Sequence, residues 1–382
     1  MKQIYLDNGA TSFPKAPGVG QAMKDYIEKV GVNVNRSSYR ATAEAALSTL
    51  NVREDLCTLF GGGSDPSYAI FTSGVTMSLN MIMKGVLRAG DHLIISGMEH
   101  NAVARPAMQL EAAGVSVSIA PCDETGVLRL TEFEKLFTPQ TRLVVIQYAS
   151  NVSGTIQPIA EIGAICRRHG ALFAVDSAQA AGHFLFDMQA LQVDAMCFTG
   201  HKGLLGPSGI GGFVMNEAMN KALTPLIAGG TGSMSASLEM PPTLPDRYEA
   251  GTPNLPGIMG LGVALRYLME VGPDALHKRE MALTDRFLDG LHGNSHIRVP
   301  GSVDAKGRVG VISVDFLRQD NAEVAFQLEE QYGILTRCGL HCAPLAHKTL
   351  GTYPEGTVRF SIGYTTTEDE VDTAIQAIHS LS

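Results

Sequence analysis

From residue 69 to residue 198 the chain alternates short apolar runs with longer amphipathic ones. The runs 69–71, 92–95, 115–119, 143–146, 172–175 and 195–198 read as buried strands, and 76–87, 102–113 and 158–169 between them carry helical periodicity. Strand, helix, strand in alternation predicts an α/β fold with a mostly parallel sheet covered on both faces. In such sheets functional groups gather at the carboxyl ends of the strands. Five ends fit that rule: Thr72-Ser73-Gly74-Val75-Thr76, Glu99-His100-Asn101, Ser150-Asn151, Asp176-Ser177-Ala178-Gln179 and Thr199-Gly200-His201-Lys202.

The remaining chain predicts a different unit. Residues 229–256 are rich in Gly, Ser, Thr and Pro and read as a long functional loop, and helical pattern resumes over 257–291. Strand patterns at 309–316 and 357–362 with helices at 322–332 and 367–381 predict a smaller α+β domain. With 382 residues and 45% apolar content, two packed domains are expected. A net charge of −9 argues against nucleic-acid or anionic-membrane partners. No apolar run is long enough to span a membrane and no signal peptide is expected. Six irregularly spaced cysteines predict reduced thiols and a cytoplasmic protein.

Lys202 stands in Phe198-Thr199-Gly200-His201-Lys202-Gly203, with small residues around it. A surface lysine has no need of such neighbours. A lysine that bonds to a flat carbonyl cofactor such as pyridoxal phosphate, and then serves as a base, does; a structural lysine in a glycine-rich turn is the alternative. Asp176 closes an apolar run, and a buried carboxylate needs a partner such as a pyridinium nitrogen; capping the next segment is the plainer role. The Thr72–Thr76 stretch before a helix suits phosphate, or simply an N-cap. His100 suits stacking and proton transfer. Gly61-Gly62-Gly63 reads as a turn. In Arg337-Cys338-Gly339-Leu340-His341-Cys342 a thiolate beside Arg337 and His341 is the stronger reading. Zinc is not expected there, because Cys166-Arg167-Arg168-His169, the only second pair, lies in a helical pattern. Arg359, inside a strand, suits a carboxylate or a structural ion pair.

Together these pieces resemble the class V aminotransferase family, and within it the cysteine desulfurases and selenocysteine lyases. Tyr5-Leu6-Asp7-Asn8-Gly9-Ala10-Thr11, Glu99-His100, Ser150 to Thr155, Val175 to Gln179, Thr199 to Lys202, Glu249 to Asn254 and Arg337 to Pro344 keep the family's order. The resemblance implies the fold type I architecture: a large cofactor domain at 16–262 with a mostly parallel mixed sheet, and a small domain formed by 1–15 and 263–382. It implies pyridoxal 5'-phosphate bound to Lys202, with Asp176 at the ring nitrogen, Gln179 at the ring hydroxyl and His100 on the ring. Val75, Thr76, Thr199 and His201 would hold the phosphate, and Thr252 would reach the phosphate of a neighbouring subunit in a homodimer. Asn151 and Arg359 would bind the substrate carboxylate, Asn151 also touching the cofactor. Cys342 would take sulfur from L-cysteine, or selenium from L-selenocysteine, for an acceptor protein or small thiol. Another class V reaction would leave Cys342 dispensable, and a non-catalytic cofactor-binding scaffold would not need the thiol. The chain departs from the group II pattern at Asn35, Val75 and Leu340, where members often carry His, Thr and His. Cys338 reads either as a sulfur relay or as a buried small hydrophobe.

Overall fold

The computed structural model describes residues 3–34, 39–302, 304 and 306–382. Seven strands form the main sheet in the order Ala69–Thr72, Gly211–Met215, Ala195–Thr199, Leu172–Asp176, Thr141–Gln147, His92–Ser96, Ser116–Ala120. All run parallel except Gly211–Met215, which is antiparallel to both neighbours. Successive side chains on a strand face opposite ways, so each strand feeds two cores. Ile94, Val144, Phe173, Val175 and Phe198 pack under helices Arg40–Phe60, Ile159–His169 and Leu255–Val271. Leu93, Ile95, Val145, Ala174 and Cys197 pack under Val75–Val86 and Asn101–Ala112.

Three readings need correction. The strand at 115–119 is not buried: Ser116–Ala120 is a sheet edge, paired on one side only, and Ile119 is 43% exposed. Strand Gly211–Met215 escaped the strand–helix rhythm because no helix precedes it and it begins with two glycines. Those glycines are needed, since a Cβ on Gly211 would lie 2.6 Å from both Gly74 Cα and the Phe198 carbonyl. The helical stretch 257–291 is two helices, Leu255–Val271 and Pro273–Leu291, broken at Gly272 with φ 88°; proline at the first helical position starts the second.

The irregular stretch from 229 to the helix at Leu255 is confirmed. Its end is tied to the sheet: both terminal nitrogens of Arg53 donate to the Glu249 carboxylate at 2.7 Å, which also accepts from the Phe71 amide at 2.7 Å. A second, antiparallel sheet runs Arg337–Gly339, Thr357–Ser361, Val311–Phe316, Ile297–Arg298. Helices Pro273–Leu291, Asn321–Tyr332 and Glu368–Leu381 cover it around a core of Leu283, Phe287, Val324, Leu328, Phe360 and Ile378. The start of the chain joins this unit, with Ile4–Tyr5 pairing in parallel with Ile334–Leu335. Among the described residues no helix is long and apolar enough to cross a membrane.

Candidate active site

The turn after Ala195–Thr199 carries Lys202 and is closed on both sides. The Gly200 amide donates to the Ile210 carbonyl and the Leu205 amide to the Lys202 carbonyl, at 2.9 and 2.8 Å. Leu205 sits at φ 57°. The His201 carbonyl accepts from the Ser12 amide and from the Lys15 ammonium at 2.9 and 2.7 Å. A side chain on Gly203 would meet the Ala181 carbonyl and the His183 ring, so the backbone approach there requires glycine. Burial pushes the Lys202 amine down to about 8; Asp176 opposes the fall, and Arg359 and Arg337 add to it. A substantial neutral fraction near neutral pH is what a nucleophilic amine needs.

Asp176 ends its strand buried, with one carboxylate oxygen accepting from the Ala178 amide at 2.9 Å. Burial raises its pKa, opposed by that bond and by Lys202. Gln179 reaches the same region and donates from Nε2 to the Gly9 carbonyl at 3.0 Å. His100 caps helix Asn101–Ala112: its Nδ1 accepts from the Ala102 amide at 3.0 Å. That bond leaves the proton on Nε2. Burial, helped by Lys202, Arg337 and Arg359, pushes the ring down to about 3, so it is neutral. Beside it Glu99 is fully buried, held by Ser96 at 2.5 Å and the Gln147 amide at 3.0 Å, and burial raises it to about 8.

These strand ends enclose a cavity of about 380 Å³ lined by His100, Asn151, Gln179, Thr199, His201 and Lys202. Val75 and Thr76 line it from the first turn of helix Val75–Val86, whose N-cap is Gly74 at φ 152° with no side-chain cap. The first amides of a helix have no partner within it. His201 Nδ1 is buried with no hydrogen-bond partner among the described residues, as are Asn151 Oδ1 and Arg359 Nε.

The small domain closes the cavity with Arg337, His341 and Arg359. Arg359 is 1% exposed; it donates to Asp7 at 2.7 Å and to the Asn151 carbonyl at 3.2 Å. Asp7 belongs to the Tyr5–Thr11 motif, but nothing in the sequence marks it as the partner of a residue so distant. Cys342 is exposed at the rim, with Arg337 Nη2 3.5 Å from its sulfur. Its carbonyl accepts from the Asn101 amide at 2.7 Å, and that of His341 accepts from Asn151 Nδ2 at 2.7 Å. His341 and Cys342 have positive φ, 48° and 58° respectively, in a turn closed from the Ala343 amide to the Leu340 carbonyl.

The expectation that His341 assists the thiol is corrected: its Nε2 bonds the Thr357 hydroxyl at 3.0 Å, and burial holds the ring uncharged. Cys338 pairs with buried Val358 on the strand face opposite Arg337 but is itself only half-buried. Thr252 is exposed and borders a cleft that adjoins the Lys202 cavity through Ser73, Met77 and Gly209. Asn35 lies outside the described residues.

A helix-covered mixed sheet whose strand ends converge on a half-buried lysine, closed by a small antiparallel domain, is the fold type I architecture. The chain belongs to the family Aminotransferase class-V, whose pattern matches residues 4–373. A probable cysteine desulfurase of Methanothermobacter thermautotrophicus is 32% identical over 96% of this chain and 92% of its own. A cysteine desulfurase of Escherichia coli O9:H4 is 35% identical over 99% and 93%. The apo structure of a cysteine desulfurase from Thermococcus onnurineus NA1 superposes with a TM-score of 0.92 at 31% identity, covering 99% of this chain and 94% of that one.

Proposed function

We propose that the chain is a pyridoxal-phosphate-dependent cysteine desulfurase, converting L-cysteine to L-alanine and leaving the sulfur as a persulfide on Cys342. The observation that carries this reading is a rim thiol, held by an arginine, above a cavity floored by a desolvated lysine. The cavity also suits the cofactor. Free helix amides at Val75 and Thr76, a backbone cradle at Gly74 and Gly211, and unpartnered His201 Nδ1 and Asn151 Oδ1 match an anion and a polar ring. Lys202, Asp176, Gln179 and His100 would hold the ring, with Thr76, Thr199, His201 and the Val75 amide at the phosphate. The missing hydroxyl at Val75 is thereby offset by backbone donors. When bound, the cofactor supplies an electron sink for the substrate α-carbon.

The chain's own residues do the rest. Arg359 keeps its Nε free while Asp7 and the Asn151 carbonyl fix the guanidinium plane; that donor and Asn151 bind the substrate carboxylate. Lys202 moves the α-proton. His100, neutral with its proton on Nε2, offers a ring face and a donor without adding charge. The Cys342 thiolate attacks the substrate sulfur; the carbon–sulfur bond breaks, a sulfur–sulfur bond forms, and protonation of the carbon releases alanine. We place residues 16–262 in the cofactor domain and 1–15 with 263–382 in the small one. The protein acts as a cytoplasmic homodimer in which Thr252 completes the partner's phosphate site; its exposure supports this. The persulfide passes to an acceptor protein or small thiol.

The test is alanine release by wild type and Cys342→Ala, with L-cysteine and L-selenocysteine in parallel. Loss on cysteine in the variant is expected. Full retention on cysteine would move the protein to another class V reaction, and turnover confined to selenocysteine would make it a selenocysteine lyase.

A further inference from the structure

Behind the Lys202 turn lies a second cluster of ionisable side chains. His277 and Glu280 stand three residues apart on helix Pro273–Leu291, hence on one face. His183, in the turn after Gly182, meets them from the large sheet. One ligand atom from each lies within 4.8 Å of the other two. His183 Nδ1 is 2.9 Å from Oε2 of Glu280, yet that oxygen accepts no hydrogen bond of sound geometry among the described residues. His277 Nδ1 is also buried without a partner, and Glu280 is 4% exposed. Such groups are normally satisfied. Here a second, unpartnered imidazole converges on the His183–Glu280 ion pair.

We propose that His183, His277 and Glu280 form a binding site for a divalent transition-metal ion of the zinc class. Two nitrogen donors and one oxygen suit Zn²⁺, whereas Ca²⁺ and Mg²⁺ need more oxygens. A pocket of about 40 Å³ bordered by His183 and Glu280 has room for a water as fourth ligand. Tetrahedral bonds of about 2.0 Å put ligand atoms about 3.3 Å apart, so His277 closes on the pair by at most about 1.5 Å while the 2.9 Å His183–Glu280 contact opens slightly. The ion would join the small-domain helix to the turn that holds Lys202, because Gly203 packs on the His183 ring.

The test uses cofactor-loaded Cys342→Ser protein, so that the exposed thiol takes no metal. After zinc loading and gel filtration, stoichiometric zinc and a raised Tm are expected. Cobalt in its place should show d–d absorption without thiolate charge-transfer bands. His277→Gln in the same background should lose both zinc and the Tm rise while keeping its circular dichroism. His277→Leu, which keeps the apolar contact with Phe184, serves if the first variant does not fold. No retained zinc, equal zinc in the His277 variants, or a thiolate band would each overturn the assignment.

Discussion

Lys202 illustrates how burial makes an ordinary side chain reactive. Its amine is half neutral near pH 8, well below the 10.5 of a free lysine, chiefly because burial penalises the charged form. Only the neutral amine bonds to a carbonyl. Uptake of pyridoxal phosphate by the apoprotein should therefore quicken as pH rises and reach half its maximal rate near pH 8; a midpoint near 10.5 would contradict the burial argument. Lys202→Ala should lower alanine release by at least about 10³-fold, since it removes both anchor and base. Asp7→Asn addresses the pair that the sequence hid. It should raise KM for cysteine more than it lowers kcat, because the buried Arg359 loses the carboxylate that orients it. An unchanged KM would leave Asp7 without a part in substrate binding.

At the scale of elements, one antiparallel strand decides how closely two backbones approach where helix Val75–Val86 begins. Gly211 touches Gly74 and Phe198 so closely that a methyl group would have to push backbone aside. Gly211→Ala should cost about 1–3 kcal/mol of stability by overpacking, read as a lower denaturation midpoint, and should speed cofactor loss as Gly74 shifts. Gly63→Ala is the control: its φ is positive but nothing lies within 4 Å, so cofactor retention should not change. Five of the six expected strands of the main sheet were legible because their apolar runs are short and end in polar groups. Gly211–Met215 was hidden because its glycines carry no hydrophobic signal. The exposed edge at Ser116–Ala120 misled because Val117 and Ile119 look like core residues until the sheet order shows that, among the described residues, no strand lies beyond them.

At the scale of the whole molecule, the ordered motifs pointed to a shared cavity, and the strand ends from Thr72 to Lys202 do converge there. Pairings between distant segments were not legible, such as Asp7 with Arg359, Arg53 with Glu249 and His183 with Glu280. No local pattern encodes a contact between residues so far apart in the chain. The homodimer reading makes a further prediction. Lys202→Ala and Thr252→Ala chains should each be impaired alone. Mixed, they should regain activity, because one site of each heterodimer then has its own Lys202 and the partner chain's Thr252. Mixtures no better than the two parents would mean that Thr252 does not act across an interface.

The pairing of Ile4–Tyr5 with Ile334–Leu335, and of Asp7 with Arg359, has a bearing on biosynthesis. Residues 4 and 5 wait for partners made about 330 positions later in synthesis. While the chain is still tethered, the main sheet and Lys202 are already outside the exit tunnel, whereas the strands bearing Cys342's turn and Arg359 are not yet made. A nascent chain can thus assemble the floor of its cavity early but gains the Cys342 turn and the Asp7–Arg359 pair only once residues 334–361 have been made.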